Sequence, residues 1–252
     1  MKLMIAMCLL TSVAIGQEAS GPARGVAPSL VINIAGQQAN SYDVKVTNRS
    51  RHAVTAFALR VAPTDGRENC DGPCGLVKVV ADNAMPAIKA GESVDLGISS
   101  SSMNGGAVVA EAAVFDDESY QGDERAAALL VAQQIGRQAE YDRLIAAVNA
   151  IMSTRVDDVR KTAQIRIKLG ELSVRLDPAM VQTFNRWFPE LAGCTKRYAR
   201  FMKAAAKNEK RLVAESMEQF ALGAAPGAPS LTQWWSAMQK RLAPFGCSGC
   251  AA

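Results

Sequence analysis

Four sets of residues have types and spacings that can do chemistry: cysteines, a lone histidine, an acidic run and a basic helical face. Cys70-Asp71-Gly72-Pro73-Cys74 sits in a Gly and Pro loop, and its short spacing permits a local disulfide that staples the loop. Cys247-Ser248-Gly249-Cys250 has the two-residue spacing of thiol oxidoreductases. In those enzymes a helix beginning at the motif lowers the first thiol's pKa. Here only two residues follow, so a redox role is not expected. The two pairs together offer four zinc thiolates, which requires them unoxidised and gathered from both ends of the chain; disulfides rank first. Cys194 can close onto Cys247 or Cys250 and tie the last helix to the one before it. Five cysteines follow Cys8, so one thiol is free or pairs between chains, and the pairing stays open.

The single histidine, His52, lies in the polar corner Asn48-Arg49-Ser50-Arg51. Catalysis by a triad needs a nucleophile and an orienting acid around it, and no spacing supplies them. A solvated turn histidine is the expectation. The run Asp116-Asp117-Glu118-Ser119-Tyr120-Gln121-Gly122-Asp123-Glu124 gathers carboxylates of the kind that bind Ca²⁺, with Asp116, Asp117 and Asp123 as candidate ligands. It lacks the alternating pattern and distal Glu of an EF-hand loop. The expected role is a strand-to-helix corner, with Asp123 capping free N–H groups and Glu124 favouring the positive helix start.

Lys196, Arg200, Lys203, Lys207 and Lys210 recur at intervals of four and three, so they share one face of a helix expected from about Pro189 to Leu222. Such a stripe can hold an anionic polymer, a phospholipid surface or an acidic partner. Aromatic residues do not interleave with the cations, so single-stranded nucleic acid is not expected. Trp187, Trp234 and Trp235 invite comparison with a carbohydrate platform. Core packing is the expectation for them, with one of the adjacent pair Trp234 and Trp235 left exposed.

These residues must be positioned by two kinds of element. From about 29 to 117 the pattern has period two: Leu30, Ile32 and Ile34; Tyr42, Val44 and Val46; Phe57, Leu59 and Val61; then runs at 76–81, 93–98 and 107–115. Six or seven short strands with Gly, Asn and Pro punctuation predict a two-layer antiparallel sandwich of immunoglobulin-like type. After Phe115 the spacing turns helical: 130–152, 156–176, Pro178 to Trp187, Pro189 to Leu222, and a last helix capped by Ser230 and reaching Leu242. The fold class is α+β, with a helical region over 122–245 and a Cys-containing tail over 246–252.

Lys2, an apolar run from Leu3 to Ile15 and the small residues before Gln17 form the pattern of a secretory signal peptide over 1–16. Residues 17–28 read as a flexible leader. The run is shorter than the roughly 20 residues a membrane-spanning helix needs, so no transmembrane anchor is expected in the mature chain. Met7 precedes Cys8 where a lipoprotein needs a small residue, and Cys8 is expected to leave with the signal. A hydrophobic fraction of 49% excludes global disorder, and a formal charge of +4 on 252 residues names no partner.

The passage Ala112-Ala113-Val114-Phe115-Asp116-Asp117, then Gly122-Asp123 and a long helix, resembles uncharacterised secreted bacterial proteins that place an acidic, glycine-containing corner between a sandwich strand and helices. The likeness covers residues 40 to 150, and Glu118 stands where such a corner often has glycine. It implies the fold and no activity. With one histidine, no phosphate loop and no nucleophile motif, the first expectation is a non-enzymatic exported protein, periplasmic or extracellular. Its partner would be an envelope protein or an anionic polymer, and no cofactor is expected. The alternatives are a cation-dependent enzyme built on the acidic corner and a binder of anionic surface through the basic face. Ligand, oligomeric state and cysteine pairing stay open.

Overall fold

The computed structural model describes residues 27–38, 41–62, 76–80, 87–99, 107–223 and 229–242. The segment expected to be a signal peptide, most of the expected leader, the tail, and Cys8, Cys70, Cys74, Cys247 and Cys250 lie outside the described residues.

Among the described residues, seven strands precede five α-helices. β1 (Leu30–Gln38), β2 (Ser41–Asn48) and β5 (Ser93–Ser99) form one sheet in the order β1-β2-β5. β3 (Val54–Ala62), β4 (Leu76–Val80), β6 (Ala107–Phe115) and β7 (Tyr120–Gly122) form the other, in the order β4-β3-β6-β7. Every pairing is antiparallel. Alternation is cleanest in β2, where Tyr42, Val44 and Val46 are buried while Asp43 and Lys45 are exposed. These side chains share one core with Leu30 and Ile98 of their own sheet and with Phe57, Leu59, Ala110 and Phe115 of the second.

The second sheet is covered on both faces, and its side chains differ accordingly. Bulky Phe57 and Leu59 of β3 enter the intersheet core, whereas Ala56 and Ala58 face the helices together with Ala112 and Val114 of β6. Two irregularities in the β3–β6 register leave Thr55 and Glu111 without opposite partners. Beyond Glu111 the phase of β6 slips: Val108 and Ala110 lie in the intersheet core before it, Ala113 and Phe115 after it.

α1 (Glu124–Met152) begins on this alanine-rich face. Asp123 caps it, its Oδ1 accepting from the Ala126 N–H at 2.8 Å. All residues from Ala126 to Ala132 are buried, so the first turns have no solvent face. Small side chains on both partners let helix and sheet approach closely. At 29 residues the helix is about 44 Å long, so it runs well past the sheet.

α2 (Asp158–Glu171), α3 (Pro178–Trp187), a 3-10 segment (Pro189–Cys194), α4 (Thr195–Leu222) and α5 (Leu231–Leu242) complete the chain. α4 lies beside α1 in the same direction: Gly136 faces Met202, and farther along Arg137 pairs with Glu209 at 2.5 Å. Beyond that pair a third core joins Leu144 and Val148 of α1, Ile165 and Leu169 of α2, Val213 and Met217 of α4, and five residues of α5. Trp234 and Trp235 both belong to it, at 7% and 4% exposure, which corrects the expectation that one would be exposed. α5 contacts both α1 and α4, so its buried face is wide enough for two adjacent indoles. Their N–H groups donate to Ser216 Oγ at 3.0 Å and Asn149 Oδ1 at 2.7 Å. Among the described residues no helix is long and apolar enough to cross a membrane.

Candidate functional site

Antiparallel pairing of β3 with β6 sets Val54 opposite Phe115, and so brings the turn before β3 against the turn after β6. His52 therefore meets Asp116 and Asp117. Its Nδ1 lies 3.7 Å from Asp116 Oδ1 and its Nε2 3.3 Å from Asp117 Oδ2. One ligand atom from each residue falls within a 4.8 Å sphere of mutual distances. All three are partly open to solvent, at 36–44% side-chain exposure.

Both turns are held by hydrogen bonds. Buried Asn48 donates through Nδ2 to the carbonyls of His52 and Ile88 at 2.7 and 2.8 Å, and its Oδ1 accepts from the Ser50 N–H and hydroxyl. The Ser50 hydroxyl also lies 2.7 Å from the His52 carbonyl. Across the corner, the Ala53 N–H donates to Asp116 Oδ1 at 3.2 Å, and the Asp116 N–H to the Ala53 carbonyl at 2.9 Å. Asp117 Oδ1 accepts from the Ser119 hydroxyl at 2.6 Å and the Ser119 N–H at 3.1 Å. The Ser119 hydroxyl is the main reason the Asp117 carboxyl titrates below its ordinary range; slight desolvation opposes it, and the Ser119 N–H and the His52 charge add to it.

The acidic stretch is thus not one corner. Residues 116–119 form a hairpin turn, and β7, which the sequence pattern does not predict, separates it from Asp123. Asp123 serves the α1 N-terminus instead of joining Asp116 and Asp117. Glu118 takes φ +63° at the turn, the left-handed conformation that glycine favours.

Beside this turn, Glu118, Ser119, Tyr120, Arg186 and Trp187 line an open cleft of about 380 Å³ between the β6–β7 hairpin and the end of α3. An aromatic stack backs it: Trp187 lies 6.1 Å from Phe188, which is fully buried and 5.2 Å from Tyr120. Burial, then the Glu124 carboxylate near its hydroxyl, raises the Tyr120 pKa.

On α4, Lys196, Arg200, Lys203 and Lys207 are exposed on one face. Lys210 leaves the stripe, because its Nζ donates to the Leu172 carbonyl and the residue is half-buried. Cys194 is exposed and is bonded to no other cysteine among the described residues, which include neither Cys247 nor Cys250. The corner residues come together only through strand pairing, 64 positions apart in the case of His52 and Asp116. Two period-two segments flanking the polar corner are visible in the sequence; the pairing of β3 with β6 is not. No known family model, curated protein or solved structure matches this chain.

Proposed function

We propose that this is an exported, non-enzymatic interaction protein in which an immunoglobulin-like pair of sheets is carried on helices, and that α4 lies against an anionic phospholipid surface of the envelope. The strand orders β1-β2-β5 and β4-β3-β6-β7 support the immunoglobulin-like part, since pairs of sheets with this kind of crossover characterise that class. Export rests on the leading apolar segment.

The observation that carries surface binding is a contrast in pairing. Several exposed cations on α2 and on the later turns of α4 have carboxylate partners: Arg166 with Glu218 at 2.7 Å, Arg211 with Glu215 at 2.8 Å, Lys168 with Glu171 at 3.6 Å; exposed Arg197, beside Lys196, has none among the described residues. Lys196, Arg200, Lys203 and Lys207 have none among the described residues. A face held only by solvation normally alternates sign, as these neighbours do. Each basic residue near an anionic membrane contributes about 1 kcal/mol.

The test is sedimentation with vesicles of phosphatidylglycerol in phosphatidylcholine. The wild-type chain is expected to sediment at low salt and to be released as salt rises. Lys203→Glu with Lys207→Glu is expected to weaken binding by about tenfold or more. Unchanged sedimentation rejects the reading. Retention of an envelope protein by chain that ignores vesicles would assign the interaction to a protein partner.

A second reading is favoured by the convergence of His52, Asp116 and Asp117. One imidazole and two carboxylates suit a transition metal such as Zn²⁺ or Mn²⁺ better than Ca²⁺. On this reading Zn²⁺ raises the melting temperature of the wild type and leaves His52→Ala unmoved. An unmoved wild type ends it.

A further inference from the structure

We propose that the cleft between the β6–β7 turn and the end of α3 binds a neutral saccharide. This goes beyond surface binding by α4 and uses different residues. The volume of about 380 Å³ is on the scale of small-ligand pockets and takes a disaccharide unit.

Its chemistry is that of a polyol site. A sugar ring presents an apolar C–H face and a rim of hydroxyls that both donate and accept. Trp187 supplies a flat apolar wall, kept in place by its stacking on Phe188. Arg186 only donates and Glu118 only accepts; the Ser119 hydroxyl, whose proton goes to Asp117, can still accept, and the Tyr120 hydroxyl can do both. Arg186 and Glu118 line the same cleft without forming an ion pair with each other, and both are exposed. Their opposite charges offset one another, which disfavours a ligand with net charge of either sign and leaves their hydrogen-bonding capacity for hydroxyls.

The wall opposite α3 is preorganised. Ser119 is fixed by two hydrogen bonds to Asp117, and its carbonyl accepts from the Phe115 N–H at 2.9 Å. Glu118 is held in the left-handed conformation that carries its side chain into the cleft lining. A rigid wall lowers the ordering cost of binding.

The experiment is saturation-transfer NMR on the full chain with N,N′-diacetylchitobiose and maltose as saccharide probes, and choline and acetate as charged probes. Saturation is expected to reach the ring C–H protons of at least one disaccharide. Trp187→Ala and Arg186→Ala are each expected to weaken that binding by about tenfold. Lys203→Glu with Lys207→Glu is expected to leave it unchanged, which separates this site from the α4 face. Transfer to neither disaccharide overturns the proposal, as does transfer to choline or acetate alone. Binding that survives both cleft substitutions also overturns it. If Trp187→Ala does not fold, Arg186→Ala decides, because that side chain is exposed at the helix end.

Discussion

Two buried polar residues set the sharpest expectations at the level of single side chains. Asn48 has no exposure and uses both ends of its amide to fix the turn that presents His52. Asn48→Ala removes one of two donors from each of the Ile88 and His52 carbonyls and the acceptor of the Ser50 N–H, and is expected to cost about 1–3 kcal/mol in urea denaturation. A loss below the error of the measurement would show that water replaces the amide. Glu140 is the opposite case: it is 1% exposed, its Oε1 accepts no hydrogen bond among the described residues, and Arg143 reaches Oε2 only at 3.5 Å. Burial raises its pKa, and the charges of Arg143 and Lys210 offset this only in part. The folded chain therefore holds the proton more tightly than the unfolded one. The stability this gives is complete below the unfolded pKa and lost as pH rises through the folded one. Glu140→Gln is expected to stabilise the protein at neutral pH by about 1 kcal/mol, with a gain that shrinks on acidification. A destabilised variant at neutral pH would mean that the carboxylate has a partner worth more than its burial costs. Neither role is legible in the sequence, where Asn48 reads as a turn residue and Glu140 as one more polar position on a helix. Both depend on what the fold packs around them.

At the scale of elements, two glycines measure how closely backbones meet. A Cβ on Gly122 would fall 2.1 Å from the Glu111 carbonyl oxygen, and its φ of +92° disfavours any side chain. A Cβ on Gly136 would fall 2.1 Å from the Met202 carbonyl oxygen, where α1 crosses against α4. Alanine gains about 1 kcal/mol over glycine in a helix, but the clash is with backbone that cannot rotate away, so sterics win. Gly136→Ala is expected to destabilise by about 1–3 kcal/mol in urea denaturation. A more stable variant would show that the helices sit farther apart. The elements themselves were largely legible, because period two and period 3.6 come from residues adjacent in sequence. Asp177-Pro178 marks the start of α3, and Ser230 caps α5 through the Gln233 N–H as expected. What failed was short or unamphipathic. β7 has three residues, too few for a period; α1 does begin at Glu124 behind the expected Asp123 cap, but its all-round burial erases the stripe before Leu130. The segment 172–176 is not helical although its leucines continue the α2 spacing. The basic face was legible except for Lys210, which a carbonyl from another segment draws inward.

For the whole molecule the question is whether sheets and helices unfold together. A polar belt separates the sheet-facing core from the distal helical core: Arg137 with Glu209, Glu140 with Arg143, and Lys210 on the Leu172 carbonyl. Such a belt is a weaker join than apolar packing, and taken alone it would let the distal core melt first. Against it, α1 and α4 run unbroken through the belt, with buried residues on both sides. Melting only the distal half would leave each as a stub of about 14 residues, marginal as a helix without its full packing. Continuity is therefore expected to dominate and give one transition. In a Trp187→Phe background, Trp234 and Trp235 report the distal core by fluorescence, since both are buried there, while far-ultraviolet circular dichroism includes the sheets. The two signals are expected to coincide in urea. Leu144→Ala, at a fully buried distal position, should shift both midpoints equally, with a loss of about 2–5 kcal/mol. A fluorescence midpoint that falls while the circular dichroism retains a second, unshifted transition would make the distal helices a separate folding unit.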